Sequence, residues 1–586
     1  MSHVPRERIT HQPGVWLGLW ITLIFGLLVN PWWVPTGDSE VYLTSARNLL
    51  RGDGLTFLGS PLVFVPPGWP AMLAGLIAIS PKLIWLKLFQ AACMGGFLAL
   101  SYVTLKRWCE PTRAAVAVGL ATICTPLYPL TVWLHSDPIF CLLVAVAWLV
   151  ALQWSSGRAH GKAGGWAHGK AGGWALAIVV VLTVATILLR WAGMPIAVVT
   201  AAACLGLGKG EGSPPMRVRW IAAGLVIAVA GGCFFGLRVW LAASDADPTL
   251  ASISLASLSE ESTVPGLFTR EQTHLSPVGE LGLRLSNWPI WIGWTFFQPM
   301  RILANFGVAG RIVEYAVALL ALALMVAAAV RDVRQHRFLL AGALLYTLGL
   351  SLVWPTPNNR YLVPVLPILI LGVLDGIAIV RGHHFQRSAA ALWWSFVVAM
   401  VFTNGVIYAM DAWVHRSRSA EKFYARYEAG IHRPLFDIGA FLHDHRGDTV
   451  AYSQRYENLS ERWNYKHAQR VLAYLGDVKA IAVPRPLTGR GVKKLQQWSR
   501  DNEVDWYVHQ NPTIPGRFLH LRLTNEQHAA IVGYDPGPPL QQFELFSMQR
   551  FPERGPMARW LVESPPPTLG SDQLEELSRS VPWASD

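Results

Sequence analysis

Charge is what this chain has least of. Asp, Glu, Lys and Arg supply only 15% of its 586 residues, against roughly 25% in a soluble globular domain. With a mean hydropathy of +0.32, that shortage excludes an ordinary solvated surface over most of the chain. Cysteine is sparse too. The six thiols (Cys93, Cys109, Cys124, Cys141, Cys204 and Cys233) all fall in or beside apolar runs, which excludes a disulfide framework and a metal-spaced cysteine pair. No small-residue cleavage site precedes Pro31-Trp32-Trp33, so the first apolar run is expected to be a retained helix and not a signal peptide.

Apolar sequence fills the space that charge leaves. Helix-length apolar runs recur from residue 15 to 410, each long enough to approach a bilayer core of about 30 Å. They cover residues 15–30, 84–105, 114–130, 138–154, 174–189, 192–207, 220–243, 312–330, 338–354, 361–380 and 392–410, about eleven crossings in all. Beyond Asp411 charge, His and Pro rise and no apolar run exceeds a strand's length. The fold class expected is mostly α, with a polytopic membrane helical domain over residues 1–411. A small extracytoplasmic α/β domain over 412–563 and a Pro-rich tail over 564–586, expected to be disordered, complete the chain.

A formal charge of +12 would suit nucleic acid or anionic lipid, but its placement argues otherwise. Arg6 and Arg8 precede the first run, while Lys106, Arg107, Lys162, Lys170, Lys209, Arg217, Arg219, Arg331, Arg334, Arg337, Arg381 and Arg387 sit in short connections between later runs. This is the positive-inside pattern, and it needs no nucleic acid. It puts the N-terminus in the cytoplasm and the segments 31–83, 244–311 and 412–563 outside. The perfect tandem octad over 159–166 and 167–174 is Gly-rich and cannot build a core, so it reads as a flexible cytoplasmic loop. Two apolar stretches do not fit as crossings. Residues 68–80 are too few and read as a membrane-surface or re-entrant helix. Residues 287–300, with Trp288, Trp291 and Trp294, suit an interfacial belt.

This topology gathers unusual polar residues on the outer face. Asp38 and Glu40 follow the first run, and His135-Ser136-Asp137 fills the turn before the fourth. Arg190 sits between two runs, and Asn358-Asn359-Arg360-Tyr361 opens the tenth. Carboxylates with two guanidiniums suit a site that deprotonates a hydroxyl and holds a phosphate. Each residue also has a plain structural role open to it. Asp38 could begin an amphipathic helix over 38–50, Asp137 ahead of Pro138 could cap one, and both arginines could snorkel to the interface.

The run from Gly37-Asp38-Ser39-Glu40-Val41-Tyr42 to Arg51-Gly52-Asp53-Gly54 resembles the first outer loop of GT-C fold glycosyltransferases. The nearest pattern is the bacterial branch similar to protein O-mannosyltransferases and the aminoarabinose transferases of lipid A. In that family an Asp, a Tyr, an Ala-x-x-Leu helix and a Gly-x-Gly turn run on into a Pro-Pro-x-x-Pro segment. Here that segment is Pro66-Pro67-Gly68-Trp69-Pro70. Ser136-Asp137-Pro138 resembles the second acidic loop, Arg190-Trp191-Ala192-Gly193 the membrane-edge Arg-x-x-Gly element, and Arg360-Tyr361-Leu362-Val363-Pro364 with Pro367 the late Arg-Tyr element. The resemblance spans about residues 15–380 in order. One departure is Ser39, which stands where many relatives carry Glu directly after the first Asp.

The resemblance implies an inverting transfer of a sugar from a polyprenyl-phosphate donor to a hydroxyl of an extracytoplasmic lipid, glycan or protein. Asp38 would be the general base, and Asp137 would orient the acceptor or hold Asp38. Arg190 and Arg360 would neutralise the phosphate leaving group, with Glu40, Tyr42 and Tyr361 also binding substrate. Arg301 and Arg311 are further candidates for the phosphate. No cofactor is required, although Asp38, Glu40 and Asp137 are the carboxylates that could share a divalent metal. The chain has no Gly-rich phosphate loop and no convincing inner-face Asp-x-Asp, so a nucleotide-sugar site is not expected. Two rival readings stay open: a transporter or flippase of lipid-linked glycans, and a lipid-linked glycan ligase or polymerase. The compartment expected is a bacterial inner (plasma) membrane, and the C-terminal domain resembles, more loosely, the extracytoplasmic domains of such enzymes. That domain alternates helix-like stretches (434–445, 458–475, 492–501) with short strands (449–453, 480–484, 504–509), the pattern of a small α/β sheet. His443-Asp444-His445 is not expected to bind metal, because adjacent helical positions face different ways.

Overall fold

The computed structural model describes residues 13–36, 38–57, 60–62, 65–124, 127–156, 170–206, 213–243, 277–297, 307–353, 359–381, 386–417, 419–426, 436, 439–440, 442–444, 447–453, 474–482, 501–503, 506–510, 546–550 and 572–573. In chain order the first helices are α1 (Pro13–Leu28), α2 (Asp38–Arg51), α3 (Gly68–Ile79), α4 (Leu83–Leu105), α5 (Pro111–Ile123), α6 (Leu127–Val132), α7 (Asp137–Ser156) and α8 (Lys170–Leu189). There follow α9 (Gly193–Leu205), α10 (Met216–Ala243), α11 (Pro277–Phe296), α12 (Gly307–Arg334), α13 (Leu339–Val353), α14 (Leu366–Arg381), α15 (Gln386–His415) and α16 (Ala420–Arg426). A 3-10 turn over Asn359–Val365 leads into α14. The chain divides into two compact units. One comprises Met1–Val29, Leu62–Trp69 and Trp85–His415, the other Asn30–Pro61, Pro70–Ile84 and Arg416–Asp586.

The first unit is helical and of membrane type. Among the described residues, six helices are long and apolar enough to cross a bilayer: Leu83–Leu105, Asp137–Ser156, Met216–Trp240, Val308–Arg334, Asn359–Val380 and Ala390–Ala409. The runs expected to cross at 15–30, 114–130, 174–189, 192–207 and 338–354 form shorter apolar helices. One of them is broken. α5 stops at Cys124, whose backbone is extended (φ −63°, ψ 132°), two residues before Pro126, which has no N–H to continue the ladder. Many apolar side chains face outward, including Trp16, Leu19, Trp20 and Leu27 on α1 and Trp394, Val398 and Phe402 on α15. Such faces are costly in water and stable against acyl chains. The chain is an integral membrane protein.

Two buried carboxylates inside this unit, Asp332 and Asp375, are paired with arginines. Arg331 donates to Asp375 at 2.8 Å and to Asp332 at 2.9 Å, while Arg113 donates to Asp375 at 3.4 Å. The two contacts of Asp375 tie α5, α12 and α14 together, and a carboxylate left unpaired there would cost several kcal/mol. The expected interfacial belt over 287–300 needs correction. Its tryptophans belong to α11 and turn into the unit: Trp291 and Trp294 are buried. Trp288 donates to Thr347 Oγ1 at 2.9 Å, and Trp294 donates to the buried Glu314. An indole N–H with a protein acceptor has no need of the headgroup region.

The second unit holds two small sheets. Strands β1 (Thr56–Phe57) and β2 (Ser60–Pro61) form an antiparallel pair. Strands β3 (Thr449–Ser453), β4 (Lys479–Ala482), β5 (Trp506–Gln510) and β6 (Phe546–Arg550) form a sheet of order β4-β3-β5-β6. β3 runs parallel to β4 and to β5, with Val450 opposite Ala480 and Trp506, and β6 is antiparallel to β5. Parallel neighbours require crossover connections, in keeping with the alternation read from the sequence. Strands β3, β4 and β5 overlap those expected over 449–453, 480–484 and 504–509, and β6 was not expected. Of the expected helices over 458–475 and 492–501 only residues 474–475 and 501 are described, and these are helical, while most of the tail from 564 lies outside the described residues.

Candidate functional site

One cluster of polar side chains is built within the first unit, from three separated stretches. The first is the turn ahead of α7. Ser136 offers the carbonyl that accepts the first helical bond, from the Phe140 N–H at 3.0 Å. Ser136 therefore takes the cap position, and Asp137 begins the helix with its carboxylate committed elsewhere. His135, Ser136 and Asp137 are all fully buried. Gln90 of α4 fixes the turn by donating to the His135 carbonyl at 2.5 Å.

The second stretch is the corner between α8 and α9. Arg190 closes α8 through its N–H on the Thr186 carbonyl at 3.0 Å, and its own carbonyl accepts the Gly193 N–H at 2.9 Å. A Cβ on Gly193 would lie 2.5 Å from Ile187 N and from Thr186 C. The Arg-x-x-Gly spacing thus has a physical reason, since only glycine lets the corner close this tightly. Gly193→Ala is expected to cost about 1–3 kcal/mol of stability through overpacking against backbone. A thermal-unfolding series in detergent would check this, with Ala192→Gly as the control. Gly68 of the Pro-Pro-Gly segment is under the same constraint, as its Cβ would stand 2.6 Å from the Leu188 carbonyl oxygen.

The third stretch is the 3-10 turn. Pro364 and Pro367 shape it, because neither ring nitrogen can donate to a helical ladder. Tyr346 fixes it by donating its hydroxyl to the Tyr361 carbonyl at 2.6 Å.

The three stretches meet through their side chains. Arg190 donates to the Asp137 carboxylate, and to Ser136 Oγ at 3.2 Å. Arg360 Nη1 lies 3.0 Å from His135 Nδ1, and its Nη2 donates to the Tyr361 hydroxyl at 3.4 Å. Both guanidiniums also lie over the Tyr361 ring, Arg190 at 5.0 Å and Arg360 at 5.2 Å from its centroid. An aromatic face attracts each cation, so one ring organises two positive groups. Arginine can only donate, so the contact of Arg360 with His135 is a hydrogen bond in the tautomer that carries its proton on Nε2 and accepts at Nδ1. The same Nδ1 is 3.6 Å from the Asp137 carboxylate, so protonating it would pit His135 against Arg360 while favouring Asp137. Paired guanidiniums of this kind match the fork geometry of a phosphate.

Four of the residues singled out from the sequence therefore come together: Asp137, Arg190, Arg360 and Tyr361. The other three belong to the second unit. Asp38 opens α2, half-buried, with Glu40 buried in the same turn and Tyr42 buried in the next. Glu40 is used as a cap. Its Oε1 accepts the Thr36 N–H at 3.0 Å and its Oε2 accepts the Ser39 hydroxyl at 3.1 Å, while Thr36 Oγ1 accepts the Ser39 N–H at 3.1 Å. This reciprocal arrangement resembles a capping box, with the glutamate one residue later than in the Ser/Thr-x-x-Glu pattern. Arg311 lies in α12, and Arg301 is outside the described residues. His135 was noted in its turn without a role, and Gln90 was not noted, although a lone amide inside the apolar run 84–105 was a sign of a buried partner. Among the described residues no three of His, Cys, Asp and Glu gather as metal ligands. Asp137 accepts from the Arg190 guanidinium, and in the second unit Glu40 accepts from Thr36 and Ser39. Beyond the spans, burial raises the Tyr474 phenol above its ordinary range, with Arg47 opposing and Glu40 adding to the shift.

No family model matches the chain, and no curated protein matches it. Solved structures do. The archaeal oligosaccharyltransferase AglB from Archaeoglobus fulgidus, in complex with an inhibitory peptide and a dolichol-phosphate, is 11% identical, with 85% of this chain and 69% of that one covered and a TM-score of 0.50. ArnT from Cupriavidus metallidurans bound to undecaprenyl phosphate is 12% identical over 85% of this chain and 93% of that one, with a TM-score of 0.42. The fold is that of the GT-C membrane glycosyltransferases.

Proposed function

We propose that this protein transfers a sugar from a polyprenyl-phosphate donor to a hydroxyl of an extracytoplasmic acceptor, with inversion. The acceptor oxygen attacks the anomeric carbon, the bond from that carbon to the phosphate oxygen breaks, and the acceptor proton passes to Asp38. A carboxylate is too weak to ionise a hydroxyl in advance, so it acts as the new bond forms. Arg190 and Arg360 meet the charge that grows on the departing phosphate, where preorganised donors act most strongly. Asp137 keeps Arg190 in place, and His135 does the same for Arg360.

The observation that carries this reading is the pair of guanidiniums over Tyr361, anchored by Asp137 and His135. Support comes also from the AglB neighbour, whose structure holds a dolichol-phosphate. The positive-inside pattern puts the cluster on the non-cytoplasmic side, with the N-terminus inside.

Binding of undecaprenyl phosphate to the protein in lipid nanodiscs tests the phosphate role. Arg360→Ala should weaken it about 10–100-fold, the worth of one charge-assisted hydrogen bond. Arg113→Ala, remote from the cluster in sequence and paired with Asp375, should leave it unchanged. Equal affinity in wild type and Arg360→Ala would remove Arg360 from the site.

A further inference from the structure

The helix that carries Asp38 is gripped at its far end by the C-terminal part of the chain. Arg47 and Arg51 stand one turn apart on α2, and both reach Asp477: Arg47 Nη2 to Oδ1 at 2.8 Å, and Arg51 Nη1 to Oδ2 at 2.6 Å. Arg47 is buried and also donates to the Tyr474 carbonyl at 3.3 Å. Like charges at this spacing destabilise a helix, and the carboxylate between them turns that repulsion into a two-point attachment. Asp477 holds a φ of +52°, a left-handed conformation that costs a non-glycine residue energy unless its surroundings enforce it.

The lead into α2 is held by the same segment. Trp33 packs on Tyr474 with ring centroids 4.5 Å apart and on Phe436 at 5.6 Å. Its carbonyl accepts the Tyr424 hydroxyl at 2.7 Å, and Trp32 donates to the Ser417 carbonyl at 2.8 Å. All these contacts lie within the second unit. Between Asp38 and Arg47 a helix rises about 14 Å over two and a half turns. Fixing Arg47 and Arg51 therefore sets the rotation of α2, and with it the direction in which its first turn points.

We infer that Asp477 is a positioning residue for Asp38, and that the C-terminal domain serves the transfer by aiming α2. This rests on the reading of Asp38 as the base, and the test keeps the two apart. Hydrogen exchange is followed in the full-length protein in nanodiscs, with peptides from the first unit as the folding control. Asp477→Asn removes the charge, and Asp477→Gly removes it while relieving the left-handed backbone. Both should speed exchange across residues 38–51 by on the order of tenfold, the loss of a buried charge-assisted pair. Asp477→Glu, which keeps the charge, should restore most of the protection.

Transfer by the Asn and Gly variants should fall in kcat with donor KM unchanged, since the base is misaimed and the phosphate contacts are intact. Wild-type protection in Asp477→Gly would reduce the residue to a turn former and overturn the inference. Lost protection with wild-type transfer would overturn the positioning role. Asp38→Asn with wild-type exchange and undiminished transfer would instead strike at the base assignment.

Discussion

Asp38→Asn is expected to lower transfer by about 10²–10⁴-fold, the usual contribution of a general base, while the protein stays folded in the membrane. The substitution keeps the shape and hydrogen-bonding capacity of the side chain at the first turn of α2, and asparagine is a good residue near a helix start. Only the proton acceptor is removed. The neighbouring carboxylate supplies the contrast. Glu40 spends both oxygens on Thr36 and Ser39, and glutamine serves a capping box nearly as well as glutamate. Glu40→Gln should therefore retain most of the activity. A rate series on the two variants, with expression and monodispersity as controls, separates a chemical role from a capping one. Comparable losses in both would mean that the start of the helix, and not its first carboxylate, is what matters.

The second large effect is expected at Arg190. Arg190→Ala leaves the buried Asp137 carboxylate without its guanidinium. Breaking one side of a buried pair typically costs about 3–5 kcal/mol, more than removing both partners together. The single variant should thus unfold at markedly lower temperature in detergent. Arg190→Met combined with Asp137→Leu should recover much of that loss and still fail in transfer. Stability and activity then come apart, as they must if the pair is retained for chemistry. A double variant that recovers both would make the pair structural only, and one that recovers neither would mean that the corner between α8 and α9 depends on the ions themselves.

Much of this molecule could be read from its residues, because apolar length and the siting of Lys and Arg are strong physical constraints. The apolar runs singled out fall on helices, the run over 114–130 being divided between α5 and α6, and Asp137, Arg190, Arg360 and Tyr361 come together in one cluster. What escaped notice depends on three-dimensional neighbours. The capping bonds of Glu40 to Thr36 and Ser39 were not legible, because a cap and an acidic loop have the same composition. Three tryptophans within seven residues looked like an interfacial belt, since nothing in the sequence shows that Thr347 and Glu314 come near. His135 gained its place from a contact with Arg360, 225 positions away. Asp477 had no local mark at all, its partners lying more than 400 residues back on α2.

The claim on which the account depends is that a sugar leaves a polyprenyl phosphate when this protein acts. Membranes bearing the protein would be incubated with a crude pool of polyprenyl-phosphate sugars, and mass spectrometry would follow the lipid products. Free polyprenyl phosphate should accumulate with the wild type and stay at background with Asp38→Asn and with Arg360→Ala. No accumulation over protein-free membranes, or equal accumulation with Asp38→Asn, would contradict it.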